Sequence, residues 1–178
     1  MRQANNFNLP NVLTSLRILF IPVFAWLCLA HGTTWWPFIC FALMMFTDKL
    51  DGDIARAKNL ITDFGKIADP IADKALMITG LVVLNIAYGL PIWITVVIVV
   101  RELGITFWRM AVLRRGLVIP ASKGGKIKTA TQSLAVALYL LPLNLSVVPF
   151  VVMLIATFIT VYTGVQYLLD FKKANAKN

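Results

Sequence analysis

Asp48 and Asp51 stand three residues apart and Asp69 and Asp73 four apart; with Asp53 and Asp63 they make six of the chain's eight acidic residues. Spacings of three and four put each pair on one helical face. If two consecutive, antiparallel helices carry them, a loop from Gly52 to Lys66 can bring four carboxylates together. Such a cluster repels itself and takes up protons unless cations compensate it. Oxygen donors with no His or Cys suit a hard divalent cation, Mg²⁺ or Mn²⁺, with Ca²⁺ less suited to work on phosphates. The plainer alternative pairs these aspartates with Lys49, Arg56, Lys66 and Lys74 at a wet boundary, which would not call for matched helical faces.

Small residues accompany the acids. Gly52 follows the first pair and Gly65 precedes the second by four; without a Cβ, each lets a substrate group approach the backbone. Ala55 lies one turn beyond Asp51, and Arg56 offers a planar, permanently charged fork for a diphosphate. Helix packing and interfacial snorkelling are the competing roles for these residues.

The elements that must position this segment are apolar. The chain of 178 residues is 59 % hydrophobic and 14 % charged, and its mean hydropathy of +0.79 lies outside the range of water-soluble domains of this size. Three stretches, Ile18 to Thr47, Ala75 to Val100 and Thr129 to Leu169, carry no Asp, Glu, Lys or Arg. A membrane helix needs about 20 apolar residues, so each stretch suits a hairpin rather than one span. The expectation is an all-α, polytopic membrane protein of six spans, forming one domain over 1–178: Asn11–Ala30, Trp35–Leu50, Ile67–Ala87, Pro91–Val112, Lys128–Leu141 and Val147–Leu169.

The turns HGTTWWP, NIAYGLP and LLPLNLSVVP carry no formal charge, and all 17 Lys and Arg lie on the other side. Basic flanks are retained in the cytoplasm, so both termini and the loops near 51–66 and 113–127 are expected there. Trp35, Trp36, Tyr88 and Trp93 fit an outer aromatic belt. The net charge of +9 then reflects topology and anionic headgroups, not nucleic acid. The asparagine-rich leader lacks a small-x-small cleavage pattern, so the first apolar run is expected to be retained as a span. Cys28 and Cys40 lie within spans, as small apolar residues rather than a disulfide or metal site. The lone His31 falls in an outer loop and has no assigned role.

Together the residues read D-x-x-D-G-x-x-A-R-x₈-G-x-x-x-D-x-x-x-D from Asp48 to Asp73. This resembles, at every position, the signature of the CDP-alcohol phosphatidyltransferase family. The resemblance implies an integral membrane enzyme that moves a phosphatidyl group from a CDP-linked lipid to an alcohol and releases CMP. It implies Asp48, Asp51 and Asp69 as metal ligands and Asp73 as a ligand or the general base, with Gly52, Ala55, Arg56 and Gly65 at the CDP site. Asp53 and Asp63 fall on variable positions and read as solvated loop charge. Metal ions would neutralise the diphosphate while one carboxylate takes the acceptor's proton.

The opening NLPNVLTSLRI, with Asn11, Thr14 and Arg17 spaced by three, resembles the bacterial branch of that family that uses glycerol 3-phosphate. Those three are expected to face the CDP site; helix capping and a positive-inside arginine are the alternative. A second polar constellation, REL at 101–103, Arg109, Arg114, Arg115 and SKGGKIKTATQ at 122–132, resembles the same branch. Arg101, Arg109, Ser122, Lys126 and Lys128 could hold an acceptor's phosphate near a helix N-terminus, or serve topology alone. CDP-diacylglycerol, glycerol 3-phosphate and the lipid bilayer are thus the expected partners, in the cytoplasmic (inner) membrane with the site facing the cytoplasm. A homodimer is the candidate assembly. Sibling enzymes using inositol phosphate or phosphatidylglycerol share the motif. A divalent-cation transporter is the reading from another class, and would be expected to place ionisable groups near mid-membrane on more than one hairpin.

Overall fold

The computed structural model describes residues 8–57, 62–113 and 123–175. They form six helices: α1 Leu9–His31, α2 Trp35–Ala57, α3 Asp63–Ala87, α4 Ile92–Leu113, α5 Lys123–Leu140 and α6 Val148–Asn175. The chain divides into two compact units. One holds α1, α2 and α3 with residues 140–143, the other α4, α6 and the rest of α5.

Local chemistry sets the helix ends. Asn8 caps α1 by accepting from the Asn11 amide at 3.0 Å, and Pro10 sits in the first turn, where a missing N–H costs nothing. At the far end Gly32 adopts φ +53° and its amide donates to the Cys28 carbonyl. The Tyr88 hydroxyl, at the C-cap of α3, donates to the Gly32 carbonyl and ties the two helix ends together. Thr62 caps α3, accepting from the Gly65 amide at 3.0 Å.

The acidic segment is more helical than its sequence suggests. Where the sequence predicts a loop over 51–66, α2 continues through Gly52 to Ala57 and α3 begins at Asp63. A single glycine costs a helix only about 1 kcal/mol, and the acid-bearing start of α3 suits the positive end of a helix dipole. Asp53 and Asp63 are therefore helical, not loop, residues, and Asp53 is exposed. His31, expected in a loop, ends α1 and meets Trp26 edge to face. Cys28 and Cys40 are both free thiols.

In the first unit α1 packs along both α2 and α3. Phe24 meets Phe41 at 5.7 Å between ring centres, and Cys28, Ala72, Leu76 and Leu84 complete the apolar part of the core. In the second unit α4 packs on α6. Thr157, Thr160 and Thr163 of α6 donate to carbonyls one turn back, which satisfies hydroxyls that no water reaches. The Gln132 amide of α5 then donates to Thr160 at 2.8 Å.

Large apolar side chains are exposed while several polar ones are buried. Phe158 is 73 % and Ile92 71 % exposed, while Arg17 and Gln132 are each 2 % exposed. Two helical segments, Pro10–His31 and Val148–Asp170, are long and apolar enough by themselves to cross a membrane.

Candidate functional site

The acidic cluster is assembled by α1. Asn11, Thr14 and Arg17 are buried on the side of α1 that meets its two neighbours. Arg17 ends the stripe: its Nη1 pairs with Asp48 Oδ1 and its Nη2 with Asp51 Oδ2. One turn earlier, the Thr14 hydroxyl donates to Asp69 Oδ1 at 2.6 Å and lies 3.5 Å from Asp51 Oδ2. A hydroxyl has one proton to give, and the shorter contact to Asp69 takes it. Another turn back, Asn11 Oδ1 accepts from Thr62 Oγ1 at 2.9 Å, the same hydroxyl that caps α3.

The consequence is geometric. Asp51 on α2 and Asp69 on α3 both approach one hydroxyl on α1, so carboxylates from two helices are indexed against a third. Gly65 makes room for this. A Cβ there would lie 3.1 Å from Asn11 Oδ1, 3.3 Å from Thr62 Oγ1 and 3.7 Å from Asp69 Oδ2. Asp51 is fully enclosed, whereas Asp48, Asp69 and Asp73 are half-buried. As they stand, the described acidic, His and Cys side chains form no group of three close enough to hold one ion. What lies between Asp48 and Asp51 is the guanidinium.

Other predicted residues fall as follows. Gly52 is half-buried on α2, while Ala55 and Arg56 lie on the same helix with side chains outside the described residues. In the second unit, Lys128 pairs with Glu102, and Arg101 reaches Glu102 Oε1 at 3.3 Å and donates to Thr163 at 2.9 Å. Gly164 lets Arg101 lie close, since a Cβ there would come within 3.0 Å of its Nε. Arg109 and Lys126 are exposed, and Ser122, Arg114 and Arg115 lie outside the described residues.

Sequence reasoning missed two features. The sequence does not connect Arg17 to the aspartates, and it offers Glu102 only as part of REL, without a role of its own. A signal existed for Glu102: it is one of only two acidic residues outside the 47–74 segment, next to an apolar run where an unpaired charge is costly. For Arg17 the signal was its position immediately before a stretch free of charge.

Residues 7–162 match the family model described as CDP-alcohol phosphatidyltransferase. That match runs over helices of both units. The chain is 46 % identical over 177 residues to a protein of Mycobacterium tuberculosis named "Probable phosphatidylglycerophosphate synthase", covering 93 % of this chain and 82 % of the relative. It is 38 % identical over 180 residues to the CDP-diacylglycerol–glycerol-3-phosphate 3-phosphatidyltransferase of Bacillus subtilis, covering 90 % and 93 %. A protein of the same name from Shigella flexneri is 34 % identical over 172 residues, covering 91 % and 93 %.

The Thr14 contact carries its own test. A hydrogen bond to a carboxylate contributes about 2 kcal/mol, which at this chain length corresponds to roughly 4–8 °C in melting temperature. Thr14→Val, which keeps the shape and removes the donor, should lose about that much in detergent, and Thr14→Ser should stay close to wild type. Equal melting of the valine variant and the wild type would show that the contact carries no stability.

Proposed function

This chain belongs to the CDP-alcohol phosphatidyltransferase family, and we propose that it transfers the phosphatidyl group of CDP-diacylglycerol to sn-glycerol 3-phosphate, giving phosphatidylglycerol phosphate and CMP. The observation that carries this reading is the acidic signature held against α1, in a chain whose relatives bear the name of that reaction.

The acceptor's hydroxyl oxygen attacks the phosphorus that bears diacylglycerol. The bond from that phosphorus to the CMP oxygen breaks, and CMP leaves with the electron pair. Asp73 takes the hydroxyl proton, and no covalent enzyme intermediate is required. Asp48, Asp51, Asp69 and Asp73 supply only oxygen donors, which fit Mg²⁺ or Mn²⁺. A cation bound there would supply neutralisation of the diphosphate charge. Gly52, Ala55, Arg56 and Gly65 line the CDP moiety, and Asn11, Thr14 and Arg17 support it by placing the acids. Arg101, Arg109, Ser122, Lys126 and Lys128 are the candidates for the acceptor's phosphate, with Glu102 holding two of them.

The surface supports a lipid setting. Large apolar side chains exposed on every helix, such as Leu19, Phe46, Ile86, Val100, Leu134 and Phe158, would be costly in water and belong in hydrocarbon. All six helices span the cytoplasmic membrane as one catalytic domain, with both termini and the acidic segment on the cytoplasmic side.

Acceptor choice, metal dependence and topology can each be tested. With CDP-diacylglycerol as donor, CMP release should be supported by glycerol 3-phosphate and not by free glycerol, serine or phosphatidylglycerol; preference for inositol phosphate would replace the named acceptor while keeping a phosphate pocket. Lys126→Ala should raise the KM for glycerol 3-phosphate several-fold more than that for CDP-diacylglycerol. Exhaustive EDTA should abolish turnover and Mg²⁺ or Mn²⁺ restore it. Asp69→Asn should cost at least about a hundredfold, as loss of charge stabilisation at a reacting centre does, while Asp63→Asn should do little; undiminished turnover after chelation would remove the metal. For topology, cysteines replacing Thr33 and Val147 in a Cys-free background should label from outside intact cells and one replacing Asp53 should not. These sites are exposed and avoid Gly32 and Gly89, whose positive φ would strain a cysteine. Outside labelling at 53 would invert the orientation.

A further inference from the structure

Arg17 is the only Lys or Arg between Gln3 and Thr47, and it is 2 % exposed. A guanidinium does not shed its proton, so burial can be tolerated only against opposite charge. Its two terminal nitrogens meet Asp48 and Asp51, taking one oxygen from each, and its Nε is buried with no partner among the described residues. The two carboxylates, three residues apart on α2, would otherwise repel each other across one turn.

We infer that Arg17 is an internal counter-cation of the acidic cluster: it holds Asp48 and Asp51 together when no metal is bound, and its charge sets how tightly a divalent cation is taken up. The inference rests on the metal reading above and concerns the residue that pairs with two of the proposed ligands. Two opposite effects follow from one charge. Without metal, the guanidinium relieves the repulsion between the carboxylates. With metal, it is a like charge close by and opposes binding, so the site avoids holding its cation irreversibly. A neutral side chain at position 17 should therefore make the metal-free protein less stable and its metal binding tighter. A residue with a packing role alone would produce only the first effect.

The test uses the full-length chain purified in detergent and stripped with EDTA. Mn²⁺ is titrated while bound metal is read by electron paramagnetic resonance and the melting temperature by intrinsic fluorescence. Arg17→Gln should melt below the wild type in EDTA, bind Mn²⁺ with an apparent Kd about tenfold lower, as loss of a nearby like charge implies, and gain more in melting temperature on saturation. Arg17→Gln combined with Asp48→Asn, which removes one of the repelling charges, should melt above Arg17→Gln alone in EDTA. This comparison stands even if the single variant is recovered only in Mn²⁺. In the wild-type background Asp48→Asn should instead destabilise, because it strips Arg17 of a partner. Mn²⁺ binding by Arg17→Gln that is equal to or weaker than wild type, or a double variant no more stable than the single, would overturn the role of Arg17. A wild type that shows no Mn²⁺ response at all would overturn the metal reading beneath it, which the EDTA assay of turnover reports separately.

Discussion

The first unit depends on burying one guanidinium. Arg17 lies within a helix otherwise suited to hydrocarbon, and an unpaired charge there would cost several kcal/mol. Its burial is compensated by Asp48 and Asp51, so the end of α2 must dock on the start of α1 in one register. Thr14 and Asn11, each one turn further back, then meet Asp69 and the Thr62 cap of α3. A slip of either helix by one residue would turn these polar groups away from their partners. The same contacts that place the acids thus also specify how three apolar helices pack, something that nonspecific apolar surface could not do by itself.

That constraint is what the proposed lipid solvent would impose. In lipid, apolar side chains gain little by meeting each other rather than acyl chains, so small residues and polar contacts determine which helix faces associate. Both units show it. In the second, Glu102 gathers Arg101 and Lys128, Gln132 reaches Thr160, and Gly164 admits Arg101. All six helices also expose large apolar side chains. The proposed function and the packing therefore draw on the same scarce polar residues.

Much of this was legible in the chain. Six apolar segments with charge-free turns correspond to six helices, and the predicted spans agree with them to within a few residues except at charged ends. There the errors have one cause. Asp, Gly and Lys lowered the hydropathy of residues 51–57, 63–66 and 123–127, yet these are backbone-competent helix residues, and a hydropathy boundary marks a change of solvent rather than the end of a helix. The stripe at Asn11, Thr14 and Arg17 was visible as a stripe; its partners were not, because they lie 31 to 55 residues away.

By itself the sequence determined the class of chemistry and the family, since the spacing of Asp48, Asp51, Asp69 and Asp73 is a property of the chain and survives any error in helix ends. It also determined that the helices are apolar and where charge is absent. Only the tertiary structure decided which groups compensate the acids. Asp48, Asp51 and Asp69 meet Arg17 and Thr14 of α1, because long-range docking of α1 buries these residues and buried polar groups must find each other. Likewise Glu102, an isolated acid in the sequence, became the hub of a cationic cluster only once α4 and α5 placed Arg101 and Lys128 beside it.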